Sequence, residues 1–167
     1  DGTVVSVQIV RADGTVDVFG TATVSSGVWT YTAAAGNLSG LQDSEIYSAN
    51  ASISDTAGNV QSASAGFTTD FSKPSVALNA LPIGATLDVV EKGSDMTVTG
   101  TTTAEDGQTV TVALGGQTYT ASASGGIWSA SIPSADLGSL ADGGTYTISA
   151  SVTDTAGNPS TAATTVF

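Results

Sequence analysis

From about residue 75 onward, apolar and polar residues alternate with a period of two. Val110, Val112 and Leu114 are separated by single residues, Trp128 sits between Ile127 and Ser129, and Ile148, Ala150 and Val152 follow Tyr146 with only Thr and Ser between them. Such alternation marks extended chain with one face buried and the other wet. Enrichment in Thr, Val and Tyr agrees with it. A helical period is absent apart from one possible turn near residues 134–140. The pattern predicts seven strands, near Ser75–Asn79, Met96–Gly100, Thr109–Leu114, Thr118–Ser122, Ile127–Ile132, Thr145–Thr153 and Thr161–Phe167.

The same pattern occurs earlier in the chain. Trp29 and Trp128 are 99 positions apart, as are Tyr47 and Tyr146, and Asp55-Thr-Ala-Gly-Asn59 returns as Asp154-Thr-Ala-Gly-Asn158. Further upstream the offset is 105, since Asp1-Gly-Thr-Val-Val-Ser-Val7 matches Asp106-Gly-Gln-Thr-Val-Thr-Val112. The difference falls in a hairpin. In the first copy strands Val5–Val10 and Thr15–Phe19 flank a two-residue Asp13-Gly14 turn, and in the second Gly115-Gly116 closes shorter arms. Seven short strands at this spacing suit an all-β fold of tandem immunoglobulin-like antiparallel sandwiches with Greek-key connections. The reading places one module at residues 1–70 and a second at 71–167, the boundary falling where Pro74 forbids a central strand. Counterparts of Phe71–Glu105 are missing from the first copy, so the chain is expected to begin inside a module.

Composition narrows the chemistry. Ala and Val supply most of the 40% hydrophobic content, and two Trp, four Tyr and four Phe leave each core small. Fifteen acidic residues against three basic ones give a formal charge of -12, which disfavours nucleic acid or anionic membrane as partners and favours divalent cations. With no Cys, neither a disulfide framework nor a zinc–thiolate site can form. With no His, the commonest general base is missing. No apolar run approaches the roughly 20 residues that cross a bilayer, and residues 1–20 do not read as a signal peptide. These features predict a soluble fragment or mature region.

The run Thr101-Thr-Thr-Ala-Glu-Asp-Gly-Gln-Thr-Val-Thr-Val112, followed by Gly-Gly-Ile-Trp128-Ser, Ile-Pro-Ser-Ala-Asp-Leu137, Leu-Ala-Asp-Gly143, Tyr146-Thr-Ile-Ser and Asp154-Thr-Ala-Gly-Asn158, resembles the bacterial Ig-like tandem repeats of giant RTX and biofilm-associated surface adhesins. The resemblance covers nearly all of the second copy and most of the first. It implies a type I-secreted, cell-surface fibre of many modules, an extracellular location, calcium at module junctions and ligand-binding or ice-binding domains elsewhere. Neighbouring modules of the same chain would be the partners, in a monomeric fibre segment.

Both Trp are expected in the core between sheets; the alternative is an exposed platform for sugar rings. Tyr47 and Tyr146 stand where a tyrosine corner would be. On this topology the loops 104–108 and 154–159 share one pole, so Glu105, Asp106, Asp154 and Asn158 are expected to converge there with Asp70. Five hard oxygen donors suit Ca2+, which takes about 6–8 oxygens. Asp1, Asp55 and Asn59 would form the cognate half-site. The alternative is a solvated turn whose Asp and Asn bond their own backbone. Asp88, Glu91, Asp136 and Asp142 are second-tier candidates at the opposite pole, with Asp43 and Glu45 in the first copy.

Paired carboxylates can hydrolyse glycosides across a cleft, but these lie on short turns without aromatic subsites. A Ser triad of the usual kind needs His. The function expected is a non-catalytic, calcium-rigidified extender of a secreted surface adhesin. The competing reading is a carbohydrate-binding or accessory module of a secreted polysaccharide-degrading enzyme.

Overall fold

A computed structural model describes residues 2–167; Asp1, one of the candidate ligands, lies outside them. The chain divides into two compact units, Asp1–Phe71 and Ser72–Phe167.

The N-terminal unit carries β1 (Val4–Arg11), β2 (Val16–Thr23), a single turn of helix α1 (Ala35–Leu38), β3 (Ile46–Ser54) and β4 (Val60–Thr68). They form one antiparallel sheet in the order β2-β1-β3-β4. The β1–β2 hairpin closes through three residues rather than the two expected. Arg11 N–H bonds Thr15 O at 2.8 Å, Gly14 takes φ +89°, and the Asp13 carboxylate accepts the Thr15 N–H at 2.8 Å. This is the three-residue hairpin with glycine in the left-handed region. A bulge at Ile9/Val10 absorbs the added length, and an Arg11–Asp17 ion pair at 2.9 Å ties the arms together.

One face of this sheet is apolar. Val5, Val7, Val18, Ala22 and Tyr47 are buried, whereas Ala49, Ala51 and Ile53 on the same face of β3 are only half-buried and β4 is exposed along its whole length.

The C-terminal unit carries β5 (Val76–Leu78), a 3-10 turn at Glu91–Gly93, β6 (Met96–Thr102), β7 (Thr109–Leu114), β8 (Gln117–Ser122), β9 (Ile127–Ile132), α2 (Ser134–Gly138), β10 (Thr147–Val152) and β11 (Ala163–Val166). All seven strands read from the alternation are present, as is the helical turn. They form two antiparallel sheets, β11-β10-β7-β8 and β5-β6-β9, which is the all-β, immunoglobulin-like sandwich expected. Gly115 and Gly116 both have positive φ, at 58° and 85°, so the β7–β8 hairpin closes in the two residues the sequence suggested.

The core lies between these sheets. Val98, Trp128, Ala130 and Ile132 from one layer meet Val110, Val112, Ile148, Ala150 and Val152 from the other, and Leu137 of α2 closes an end. Gly100 is paired with Trp128 across β6 and β9. A Cβ there would collide with the Ala77 carbonyl and the Trp128 ring, so only glycine lets the indole lie flat on β6. The indole N–H donates to Thr101 O at 3.2 Å.

The expected burial of Trp holds for Trp128 and fails for Trp29. Trp128 is 2% exposed and Trp29 41%. Val28–Ala33, at the β9 position, forms no strand beyond one bridge between Ser25 and Val28. The alternating pattern is there, but the described residues of this unit hold no neighbour for it like β6, and a lone strand cannot meet its backbone hydrogen bonds.

Candidate functional site

The Asp-Thr-Ala-Gly-Asn turns are built alike in both units. In the C-terminal one, Asp154 accepts the Asn158 backbone N–H on Oδ1 at 2.7 Å and the Asn158 side-chain amide on Oδ2 at 3.0 Å. In the N-terminal one, Asp55 Oδ1 accepts from Ala57 N–H at 2.9 Å and Asn59 N–H at 2.8 Å, and Oδ2 accepts the Asn59 side-chain amide at 2.7 Å. The middle glycines, Gly58 and Gly157, take φ of 87° and 94°, the left-handed conformation that fixes glycine there.

Burial pushes the Asp154 carboxyl upward, but hydrogen bonds from Asn158, Gly157 and Ala156 outweigh it and hold the group below its ordinary value. The Asn59 amide and backbone do the same for Asp55. Both turns therefore keep an ionised carboxylate.

Glu105 is drawn to the same pole. Its carboxylate accepts the Thr155 hydroxyl at 2.7 Å and the Thr155 N–H at 3.3 Å. The Thr155 hydroxyl lowers its pKa most, while the nearby Asp154 charge opposes the shift. Glu105, Asp154 and Asn158 thus come together on one pole of the C-terminal unit. Asp106 turns elsewhere and accepts the Gly125 N–H at 2.7 Å, bracing the β8–β9 turn. Asp70 is exposed near the end of the N-terminal unit.

The second-tier carboxylates also serve local structure. Asp88 caps the 3-10 turn through Val90 and Glu91 N–H, each at 2.8 Å, and Glu91 accepts the Asp88 N–H at 3.1 Å. Asp136 accepts the Tyr119 hydroxyl at 2.9 Å, and burial together with that carboxylate pushes the phenol up to about 12. Asp43 accepts the Phe71 N–H at 2.6 Å. Asp142 lines a cleft at the opposite pole with Leu87, Lys92 and Tyr146.

Some participants escaped sequence reading. Thr155 was hidden inside a motif read for its Asp and Asn. Asp95, which accepts the Ser134 N–H at 2.8 Å as the chain enters α2, had only its place 39 residues upstream, which carries no local signal.

As a donor set, Glu105, Asp154 and Asn158 offer only hard oxygen ligands, two of them ionised, which fits calcium and excludes a soft-metal site. Among the described residues no three carboxylates gather into one metal-sized cluster. Every carboxylate oxygen of Glu105 and Asp154 accepts at least one internal hydrogen bond.

The family model of the bacterial Ig-like domain matches residues 84–167. No curated protein matches the chain. Among solved structures, a Ca2+-stabilised adhesin that helps an Antarctic bacterium reach out and bind ice is similar over 99% of this chain and 39% of its own, with 25% identity and a TM-score of 0.55. Two others cover 99% of this chain at TM-scores of 0.47 and 0.44. One is a 1.5-MDa bacterial ice-binding adhesin, 24% identical over 51% of its length, and the other a tetra-tandem repeat from the extending region of a large adhesion protein, 25% identical over 42%. The chain thus spans about half or less of each structure it resembles.

Proposed function

Because the chain belongs to the bacterial Ig-like domain family, we propose that it is a stretch of extender repeats from a large, secreted bacterial surface adhesin. In this reading residues 1–70 and 71–167 hold two versions of one module, neighbouring modules are its partners, and calcium stiffens it. The observation that carries the reading is the likeness, over 99% of this chain, to an adhesin described as Ca2+-stabilised. The repeated turn, identical in residues and in the two hydrogen bonds from its Asn to its Asp in both units, supports a part used over and over in a fibre.

Glu105, Asp154 and Asn158 are the proposed calcium donors of the C-terminal pole, and Asp106, whose carboxylate accepts from Gly125, is proposed as a donor from sequence alone. Asp55 and Asn59 are the equivalent pair of the N-terminal unit, and Asp70 and Asp1 are donors proposed from sequence order alone. Bound calcium would offset local negative charge. The protein's own contribution is to hold these oxygens ionised and fixed before any ion arrives, through the Asn158 and Thr155 hydrogen bonds. Seven acidic residues and one basic precede position 71, and eight and two follow, so each half carries net -6. Their mutual repulsion is what a cation would relieve. Extracellular calcium modules commonly bind with dissociation constants of about 10⁻⁴–10⁻³ M. Such a site fills outside a cell and stays empty at cytosolic calcium.

Small-angle scattering in millimolar calcium and then in chelator tests this directly. The maximum dimension is expected to fall, or its distribution to broaden, on chelation, and the Glu105→Ala/Asp154→Ala double variant should behave as chelated even with calcium present. Identical profiles in both buffers, with no calcium heat in titration calorimetry, would leave the acidic turns as solvated loops. Specific glycan binding lost in Trp29→Ala or Trp128→Ala while folding persists would overturn the extender reading in favour of a carbohydrate-binding module.

A further inference from the structure

We infer that the link between Asp142 and Gly143 is a site of spontaneous covalent modification, rearranging in the folded protein to the β-linked isoaspartyl form. The inference depends on neither calcium nor the extender role.

In an Asp-Gly pair the Asp side chain is open to attack by the following amide, because glycine has no side chain to shield its nitrogen. The pair occurs four times, beginning at Asp1, Asp13, Asp106 and Asp142. The first lies outside the described residues. Rearrangement asks two things of the fold: a carboxyl group free to turn and an amide nitrogen free to meet it.

At Asp13 both are engaged. Its carboxylate accepts the Thr15 N–H at 2.8 Å, and the Gly14 N–H donates to Arg11 O at 2.9 Å. At Asp106 both are engaged again, the carboxylate by the Gly125 N–H at 2.7 Å and the Gly107 N–H by Ala123 O at 2.8 Å. Asp142 differs. Among the described residues neither its carboxylate nor the Gly143 N–H has a hydrogen-bond partner. Both residues are exposed, and a Cβ on Gly143 would meet nothing within 4 Å. They are the central pair of a turn closed by one long bond, Gly144 N–H to Ala141 O at 3.3 Å.

The first copy shows the same place secured. At the equivalent position Asp43 accepts the Phe71 N–H at 2.6 Å, and the Ser44 N–H after it donates to Thr69 O at 3.0 Å.

The step balances with water as the only co-reactant. The Gly143 nitrogen attacks Cγ of the protonated Asp142 carboxyl and forms a C–N bond. The carboxyl hydroxyl and the amide proton leave together as water, giving a five-membered succinimide. Water then adds at the Asp142 main-chain carbonyl and breaks its bond to the Gly143 nitrogen. The chain now runs through Cγ, and the former main-chain carbonyl is a free carboxyl. One methylene thereby enters the backbone directly after Ala141, whose N–H the Tyr146 hydroxyl accepts at 2.7 Å.

The test follows the full chain through prolonged warm incubation in mildly acidic buffer, with circular dichroism checking that it stays folded. Peptide mapping reads each site, since an isoaspartyl peptide elutes apart at unchanged mass, and methyl transfer by an isoaspartyl methyltransferase measures the product. Asp142 should convert while Asp13 and Asp106 lag by about tenfold or more, because two hydrogen bonds must open first at each. In urea the three should convert at similar rates. Asp142→Glu, which would have to close a larger ring, should remove the signal at that site. Ser44→Gly, which places the same dipeptide after Asp43 where φ is already 59°, should add none. No conversion at Asp142, equal rates at the three sites in the folded chain, or a signal from Ser44→Gly as large as that of Asp142 would each overturn the proposal.

Discussion

Trp29 and Trp128 occupy equivalent places in two copies of one sequence pattern, yet one is 41% exposed and the other 2%. Their local sequences, Gly-Val-Trp-Thr-Tyr and Gly-Ile-Trp-Ser-Ala, alternate alike and follow the same turn. What separates them lies elsewhere, in β6, where Gly100 makes room for the Trp128 ring and Thr101 O takes its N–H. A strand is thus a property of a pair of segments, and the alternating pattern records a readiness to pair rather than the pairing itself.

The comparison breaks most sharply at the indoles themselves. Trp128→Ala should cost about 3–5 kcal/mol by opening a cavity in the small core, while Trp29→Ala should cost well under about 1 kcal/mol, as surface changes do. Urea titrations followed by circular dichroism would show it; equal losses would mean that Trp29 is buried in solution. Next comes the glycine. Gly100→Val should destabilise the C-terminal unit by about 1–3 kcal/mol through overpacking, with Trp128 emission shifting red and N-terminal amide shifts unchanged in NMR spectra.

Where the units agree, parallel losses should appear. Tyr47→Phe and Tyr146→Phe each remove the acceptor of a backbone N–H, Tyr146 losing besides it a long 3.4 Å donation to Ala141 O, and should each cost about 1 kcal/mol. Unequal costs would show that one corner is secured by other contacts.

The smallest effect is on acid stability. Asp13 and Asp55 in one unit, and Glu105 and Asp154 in the other, have folded pKa values held down by hydrogen bonds. The stability they contribute is present above the ordinary carboxylate range of about 4 and is lost as pH falls through the depressed folded values. Carboxyl carbon shifts should titrate below that range for all four. Ordinary values would remove the hydrogen-bonded turns from solution.

Much of the C-terminal unit was legible because each strand is buried on one face between two layers, so burial imprints period two on its sequence. Val110, Val112, Ile148 and Val152 are cases in point. The extra residue in the first hairpin was not legible, since Asp13-Gly14 suits a two-residue turn and the closing pair is decided by the bulge at Ile9/Val10. At the candidate site, residue types showed that Asp154 and Asn158 form a turn. They could not show that Asp106 would turn to Gly125, because that choice depends on where the β8–β9 turn is brought in three dimensions. Thr155 went unnoticed for the same reason: its partner is 50 residues away.

The shortness of β5 has a mechanical consequence. Tension entering the C-terminal unit along the backbone through Pro74 reaches first a strand of three residues, paired with β6 only from Val76–Thr102 to Leu78–Gly100. The Ser75 carbonyl, which accepts from Thr102 and Thr103, is the clamp ahead of it. Loaded along its length, this clamp and ladder must be sheared together, whereas a sideways pull would open their bonds one at a time. At its N-terminal end the resistance of the module to stretching therefore rests on its first few residues, as at the other end it rests on the four rungs that hold β11 to β10.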